Sequence, residues 1–243
     1  MGRLDDAIEL LDSAHSTIKI IKNKYEEARS DEDVSKVARV ETKSALENIR
    51  SSFEYVAVEI YESYSKKKTK TYFPYGADEK GFLKNLKDNL PGLETQSPNL
   101  LSIVASVQPH VYGDDWLFKL CNATNFRKHD RLGSQQRKQS VQNTVTIGPG
   151  MTFTNCEGVS LEGNTMNGLP MTKGRVVLSH STPIREIQQK FHAGFAPTRV
   201  FEWVEFELED ADYDLLKLLT VSEREARRVV LEVRREIGGY TSS

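Results

Sequence analysis

ETKSALENIRSSFEYVAVEIYESY, residues 41–64, is the stretch from which the fold can be read. Val37 and Ala38 just before it, then Ala45, Leu46, Ile49, Phe53, Val56, Ala57 and Ile60, recur at three- and four-residue steps. At about 100° per residue these positions fall on one side of a helix. The spacing predicts a long helix over 34–65. Toward the N-terminus, Leu4, Ala7, Ile8, Leu11, Ala14, Ile18, Ile21 and Tyr25 repeat the pattern and predict a first helix over 4–28. ARSDEDVS between them is rich in Asp and Ser and suits a turn that caps the second helix. Two long single-faced helices on a short polar link predict an antiparallel hairpin.

Beyond residue 65 the period breaks. Pro74, Gly76 and Gly81 punctuate an irregular connection. Shorter helices are expected over Phe82–Leu90, from Pro98 to Val107 with the proline at the first position, and from an Asp114 cap to about Lys128. After Leu132 the chain turns to short β-branched and aromatic runs divided by Gly, Asn and Pro: VTIGPGMTFTN, GVSL, RVVLSH and RVFEWVEFEL. These predict mostly antiparallel strands over 141–208. Ser222 with Glu225 reads as a capping box, and Ala226, Val229, Val230, Val233 and Ile237 as the stripe of a closing amphipathic helix over 221–238. The expected fold class is therefore α+β, with a helical segment over 1–132, a β-rich segment over 141–208 packed on it and a C-terminal helix.

The 243 residues suffice to bury a core without disulfides or metal. A net charge of -2 creates no global field for nucleic acid or an anionic membrane, so any such contact has to be a local patch. Cys121 and Cys156 form no disulfide framework and no CxxC, which suggests a reducing compartment. The first residues lack the order of a signal peptide, and no apolar run reaches the roughly 18 residues of a membrane span. The expectation is a cytoplasmic protein with no membrane partner. The phosphate-binding loop, the dinucleotide-binding glycine fingerprint, HExxH and GxSxG are all absent from the sequence. No cofactor and no metal are expected.

Three groups of residues could carry chemistry. In LCNATNFRKHDRL, residues 120–132, Asn122, Asn125 and His129 fall at i, i+3 and i+7 and share a helical face. Two amides and an imidazole there could hold a phosphate or ribose, or position a general base; equally, they could finish a polar helix end by satisfying backbone groups. Arg50 lies roughly 70° from the centre of the second helix's apolar stripe. It could hold a phosphate bidentately or pair with Glu54 four residues on. Arg127, Lys128, Arg131, Arg137 and Lys138 form one basic cluster and Lys66, Lys67, Lys68 and Lys70 another. Either could contact phosphate or be a solvated face.

The order of several short pieces adds to this. Asn48-Ile49-Arg50-Ser51-Ser52-Phe53-Glu54-Tyr55, Phe73-Pro74, Gln108-Pro109 and Asn125-Phe126-Arg127-Lys128-His129 resemble the motifs of a widespread bacterial HEPN-like family. The helical part is similar to the four-helix domains of the HEPN superfamily, many of them dimeric ribonucleases of toxin and phage-defence systems. Active members place an Arg within two helical turns before a His. Here Arg127 stands only two residues before His129, and an asparagine occupies the expected place. The resemblance implies RNA binding or metal-independent RNA cleavage in a bacterial stress or phage-defence setting. His129 would be the acid or base, Arg50 and Lys128 would stabilise phosphate charge, and Asn48, Asn122, Asn125, Arg127 and Arg131 would bind. It also implies a homodimer, for which Tyr55, Tyr61 and Tyr64 offer extra aromatic surface. The alternative is a non-catalytic ligand-binding or assembly protein that uses the same polar face as a pocket.

Overall fold

The computed structural model describes residues 2–67, 69–126, 135–208 and 213–239. Its helices are α1 Arg3–Ser30, α2 Arg39–Tyr64, α3 Glu79–Asn89, α4 Leu93–Gln96, α5 Pro98–Ala105, α6 Pro109–Tyr112, α7 Trp116–Phe126, α8 Ile184–Gln188 and α9 Leu215–Gly239. Its strands are β1 Gln135–Gln139, β2 Asn143–Ile147, β3 Met151–Thr154, β4 Val159–Leu161, β5 Thr165–Met166, β6 Leu169–Pro170, β7 Val176–Leu178, β8 Pro197–Phe201 and β9 Val204–Leu208. The chain thus mixes helix and strand, helical first and β-rich afterwards. It forms two compact units: residues 1–21, 38–134 and 208–243, and residues 22–37 and 135–207. Among the described residues no helix is long and apolar enough to cross a membrane.

The first unit is a helical bundle. The predicted stripe of α2 is its core: Ala45, Leu46, Ile49, Phe53, Val56, Ala57 and Ile60 are all buried. α1 and α2 run antiparallel, as the ion pairs of Arg3 with Glu59 and Glu62 and the bond from Asn48 Nδ2 to Ser13 Oγ show. α2 also packs on α7 and α9. α9 lies against α1 through Arg234–Asp5 and Arg227–Asp12, and against α5 through Asn99–Glu236 and Arg228–Ser106. Its apolar side, with Leu215, Leu218, Leu219, Ala226, Val229, Val230 and Val233, is buried.

Three local expectations are corrected here. α2 begins at Arg39 after Ala38, which sits in the left-handed region at φ 40° with no side-chain cap, so the Asp/Ser-rich link does not cap it. Ser222 and Glu225 form no capping box; both are buried well inside α9. The helix starts seven residues earlier, where Asp214 accepts from the Lys217 N–H. The tyrosines proposed for a dimer surface diverge: Tyr55 is 38% exposed, whereas Tyr61 is buried and stacks edge-on with Tyr64 at 5.5 Å.

The strands of the second unit begin at Gln135, ahead of the expected 141, because β1 is the polar run QQRKQ. β1 pairs with β9, and β3, β2 and β8 form an antiparallel sheet in that order. Val145, Ile147, Leu161, Met171, Val176, Leu178, Ile187 and Phe191 make its core. The polarity of β1 has a structural use. The Arg137 guanidinium donates to the carbonyl of Ala28 in the last turn of α1 and to those of Asp31 and Val34 in the link after it. Gln135 holds Val37 by both its N–H and its carbonyl. The buried Arg199 pairs with Glu32 at 2.9 Å, and Glu32 also accepts from the Ile184 N–H.

Two outcomes follow. Phe53 is fully buried between the rings of Phe73 and Trp116, so Phe53→Ala should cost about 3–5 kcal/mol in urea denaturation; an unchanged midpoint would refute this packing. Glu157 accepts from Ser179 Oγ and from the backbone N–H and ring Nδ1 of His180, and these bonds pull its pKa down to about 2. A depressed carboxylate stabilises the fold above its unfolded pKa, and that contribution fades as pH falls from about 4.5 toward 2. Carbon-detected NMR titration should find the Glu157 midpoint near the lower value, and Ser179→Ala should raise it.

Candidate functional site

The irregular segment 71–76 is held from three directions by the short motifs that the sequence sets far apart. Glu54, on α2, accepts from the Phe73 N–H at 2.7 Å and from Arg50 Nη2 at 2.5 Å. Gln108 Nε2 donates to the Pro74 carbonyl at 3.0 Å and to the Val104 carbonyl at 3.1 Å. Asn125 Nδ2, on α7, donates to the Tyr75 hydroxyl at 2.8 Å, and the Arg50 guanidinium lies 5.1 Å from the centre of the Tyr75 ring. Phe73 buries its ring against Phe53 at 4.7 Å. Gly76 ends the segment where a Cβ would lie 2.2 Å from the Phe82 backbone nitrogen, so no larger residue fits without moving backbone. The segment is a strap, and the motif residues are its fastenings.

A cleft of about 290 Å³ opens beside the strap, lined by Glu47, Arg50, Ser51, Glu54, Tyr72, Thr124 and Asn125. The α2 contributors stand at i, i+3, i+4 and i+7, a single polar stripe adjoining the apolar one. Along the strap Phe73 is buried and Tyr72 is 40% exposed, with Lys70 Nζ 5.2 Å from its ring centre. Arg50 is 14% and Glu54 23% exposed at the side chain, so their pairing is sheltered from solvent. Below them Cys121 is fully buried and accepts from Arg50 Nη1. Burial pushes its thiol up to about 12 against the opposing pull of Arg50, so it is an uncharged thiol at neutral pH and no nucleophile.

Of the residues singled out from sequence, Arg50 and Asn125 meet in this cleft. Asn122 is half-buried and is not among its lining residues. Asn48 faces the opposite way, toward Ser13, as two residues' separation on a helix requires. Lys128 and His129, proposed as catalytic, and Arg127 and Arg131, proposed for binding, lie outside the described residues. Arg137 belongs to the second unit, where it closes the end of α1. Glu47, Tyr72 and Tyr75 lie outside the quoted motifs, and Ser51, though within one, has no role assigned from sequence. The available signals are the polar stripe at 47, 50, 51 and 54 and the two tyrosines flanking Phe73-Pro74. Among the described residues no group of three or more His, Cys, Asp or Glu side chains is placed to hold a metal ion.

The strap gives a direct test. Glu54→Ala leaves the Arg50 guanidinium and the Phe73 N–H without their acceptor and should cost about 1–3 kcal/mol in urea denaturation. Glu54→Gln keeps an oxygen for Phe73 and should cost less. Equal midpoints for both variants and wild type would remove Glu54 as the fastening. Comparison with known proteins adds no relative to this geometry: no family model, no curated protein and no solved structure matches the chain.

Proposed function

We propose that the first unit is a HEPN-like helical domain that binds single-stranded RNA, with one unpaired base held in the cleft beside the strap. The observation that carries this reading is the half-exposed Tyr72 ring at the mouth of a cleft whose other walls are polar and carry hydrogen-bonding side chains. An aromatic face beside hydrogen-bonding groups suits an unstacked base, as in single-strand RNA recognition generally. The cleft is small for a ligand pocket, which fits one base better than a larger molecule. Its charge also argues against a phosphate inside. Two carboxylates, Glu47 and Glu54, face one guanidinium that is already paired. The phosphates belong outside, toward exposed lysines such as Lys66, Lys67 and Lys70.

In this reading Arg50 holds Glu54 and borders the base, and it does not neutralise a reacting phosphate. Cleavage of the bound strand rests on His129, four residues after Asn125 in the sequence. Imidazole acid–base help of this kind is worth about 10²–10⁴ in rate.

The test uses a labelled unstructured RNA with chelator present. Tyr72→Ala should weaken binding by about 1–3 kcal/mol, the worth of one base–aromatic stack, and wild-type affinity should fall as salt rises. Cleavage by wild type and not by His129→Ala assigns catalysis to His129. Salt-sensitive binding without cleavage makes the domain a non-catalytic RNA-binding module. An RNA affinity that Tyr72→Ala leaves unchanged overturns the site, and no affinity at all overturns the function.

A further inference from the structure

The groups in the cleft differ in what they have left to offer a ligand. Glu54 is committed to Arg50 and Phe73. Glu47 is not committed in this way. It is exposed, and its ion pair among the described residues is with the partly exposed Lys43 at 3.7 Å, on the same helix. Such a pair is worth little, so the Glu47 carboxylate is available at small cost. Three residues on, Arg50 spends Nη1 on Cys121 and Nη2 on Glu54, leaving three of its five N–H donors. Glu47 and Arg50 are neighbours on one helical face. The stripe therefore presents a carboxylate that only accepts beside a guanidinium that only donates.

The four bases answer this pair differently. A carboxylate can take two adjacent N–H donors at once. On the Watson–Crick edge guanine offers two such donors, N1–H and the N2 amino group, next to the O6 acceptor. Adenine and cytosine each place an acceptor beside their amino group, where a carboxylate oxygen would be repelled. Uracil offers one N–H between two acceptors. Only guanine offers both carboxylate oxygens an N–H donor and places an acceptor next to them for the guanidinium. Resting on the RNA-binding reading above, we infer that the cleft selects guanine, with Glu47 accepting from N1–H and N2–H and Arg50 donating to O6 while Tyr72 stacks on the ring. Glu47 is then the specificity-determining residue, and the sequence motif around Arg50 excludes it by one position.

The experiment compares wild-type affinities, by fluorescence anisotropy, for a labelled uridine octamer and for the same octamer with one central guanosine, inosine or adenosine. A base pair of contacts of this quality discriminates by about 1–3 kcal/mol, or about 5–150-fold. The guanosine octamer should bind tighter by that factor. Inosine, which keeps N1–H and O6 but lacks the N2 amino group, should lose most of the gain, and adenosine all of it. Glu47→Gln should reduce the advantage of guanosine over uridine, because the amide turns an N–H2 donor toward one of the two N–H groups where the carboxylate offers a second oxygen. Equal affinity for all four octamers overturns guanine selection and leaves the RNA-binding reading standing. Binding of guanosine monophosphate with no octamer bound keeps the base assignment and overturns the RNA-binding reading. Binding of neither overturns both.

Discussion

The Glu54 carboxylate is the constraint on which the helical unit depends. It sits on the flank of α2 where the apolar stripe gives way to the polar one, and it accepts at once from a side chain of its own helix and from the backbone of the strap. A carboxylate in that position is stabilised by charge-assisted bonds and would be costly with either partner missing. The geometry couples three levels. The helix period sets Arg50 and Glu54 one turn apart. Their pairing presents an oxygen to the Phe73 N–H. That bond fixes which way the strap's alternating side chains point, Phe73 into the core and Tyr72 toward solvent.

The same coupling explains why separated sequence motifs belong together. Phe73-Pro74 lies on the strap, Gln108 ties down the Pro74 carbonyl, and Asn125 ties down the Tyr75 hydroxyl. Gln108 is fully buried, so its amide serves the chain and not a ligand. Read alone, each motif invites a functional interpretation; read together in space, Glu54, Gln108 and Asn125 hold an otherwise irregular segment of backbone.

Much of the fold was legible because helical periodicity is a strong signal over long stretches. The stripes of α1 and α2, the proline at the start of α5 and the Asp114 cap on Trp116 all follow from spacing and local backbone needs. The failures have a common physical origin. Ser222 and Glu225 match a capping pattern, but burial within α9 overrode it, since leucines at 215, 218 and 219 carry the apolar stripe back a further two turns. β1 has no hydrophobic alternation because Arg137 and Gln135 use their side chains to satisfy the end of α1 and the link after it, partners about a hundred residues away. In the site, Arg50 was visible at the edge of an apolar stripe and Asn125 on the polar face of a predicted helix, whereas Tyr72 gained meaning only once the strap's direction was known.

One consequence concerns how such a frame can diversify over time. Glu54, Gln108, Asn125 and Gly76 are bound by the geometry of the strap, and a change at any of them is felt in folding. Glu47 and Tyr72 face the cleft and hold nothing else in place to a comparable degree. Chains that inherit the strap are thus free to exchange these two residues and with them the ligand, while their recognisable motifs stay the same. Likeness in those motifs would then report shared ancestry of the scaffold, and two proteins alike at every fastening could still recognise different molecules.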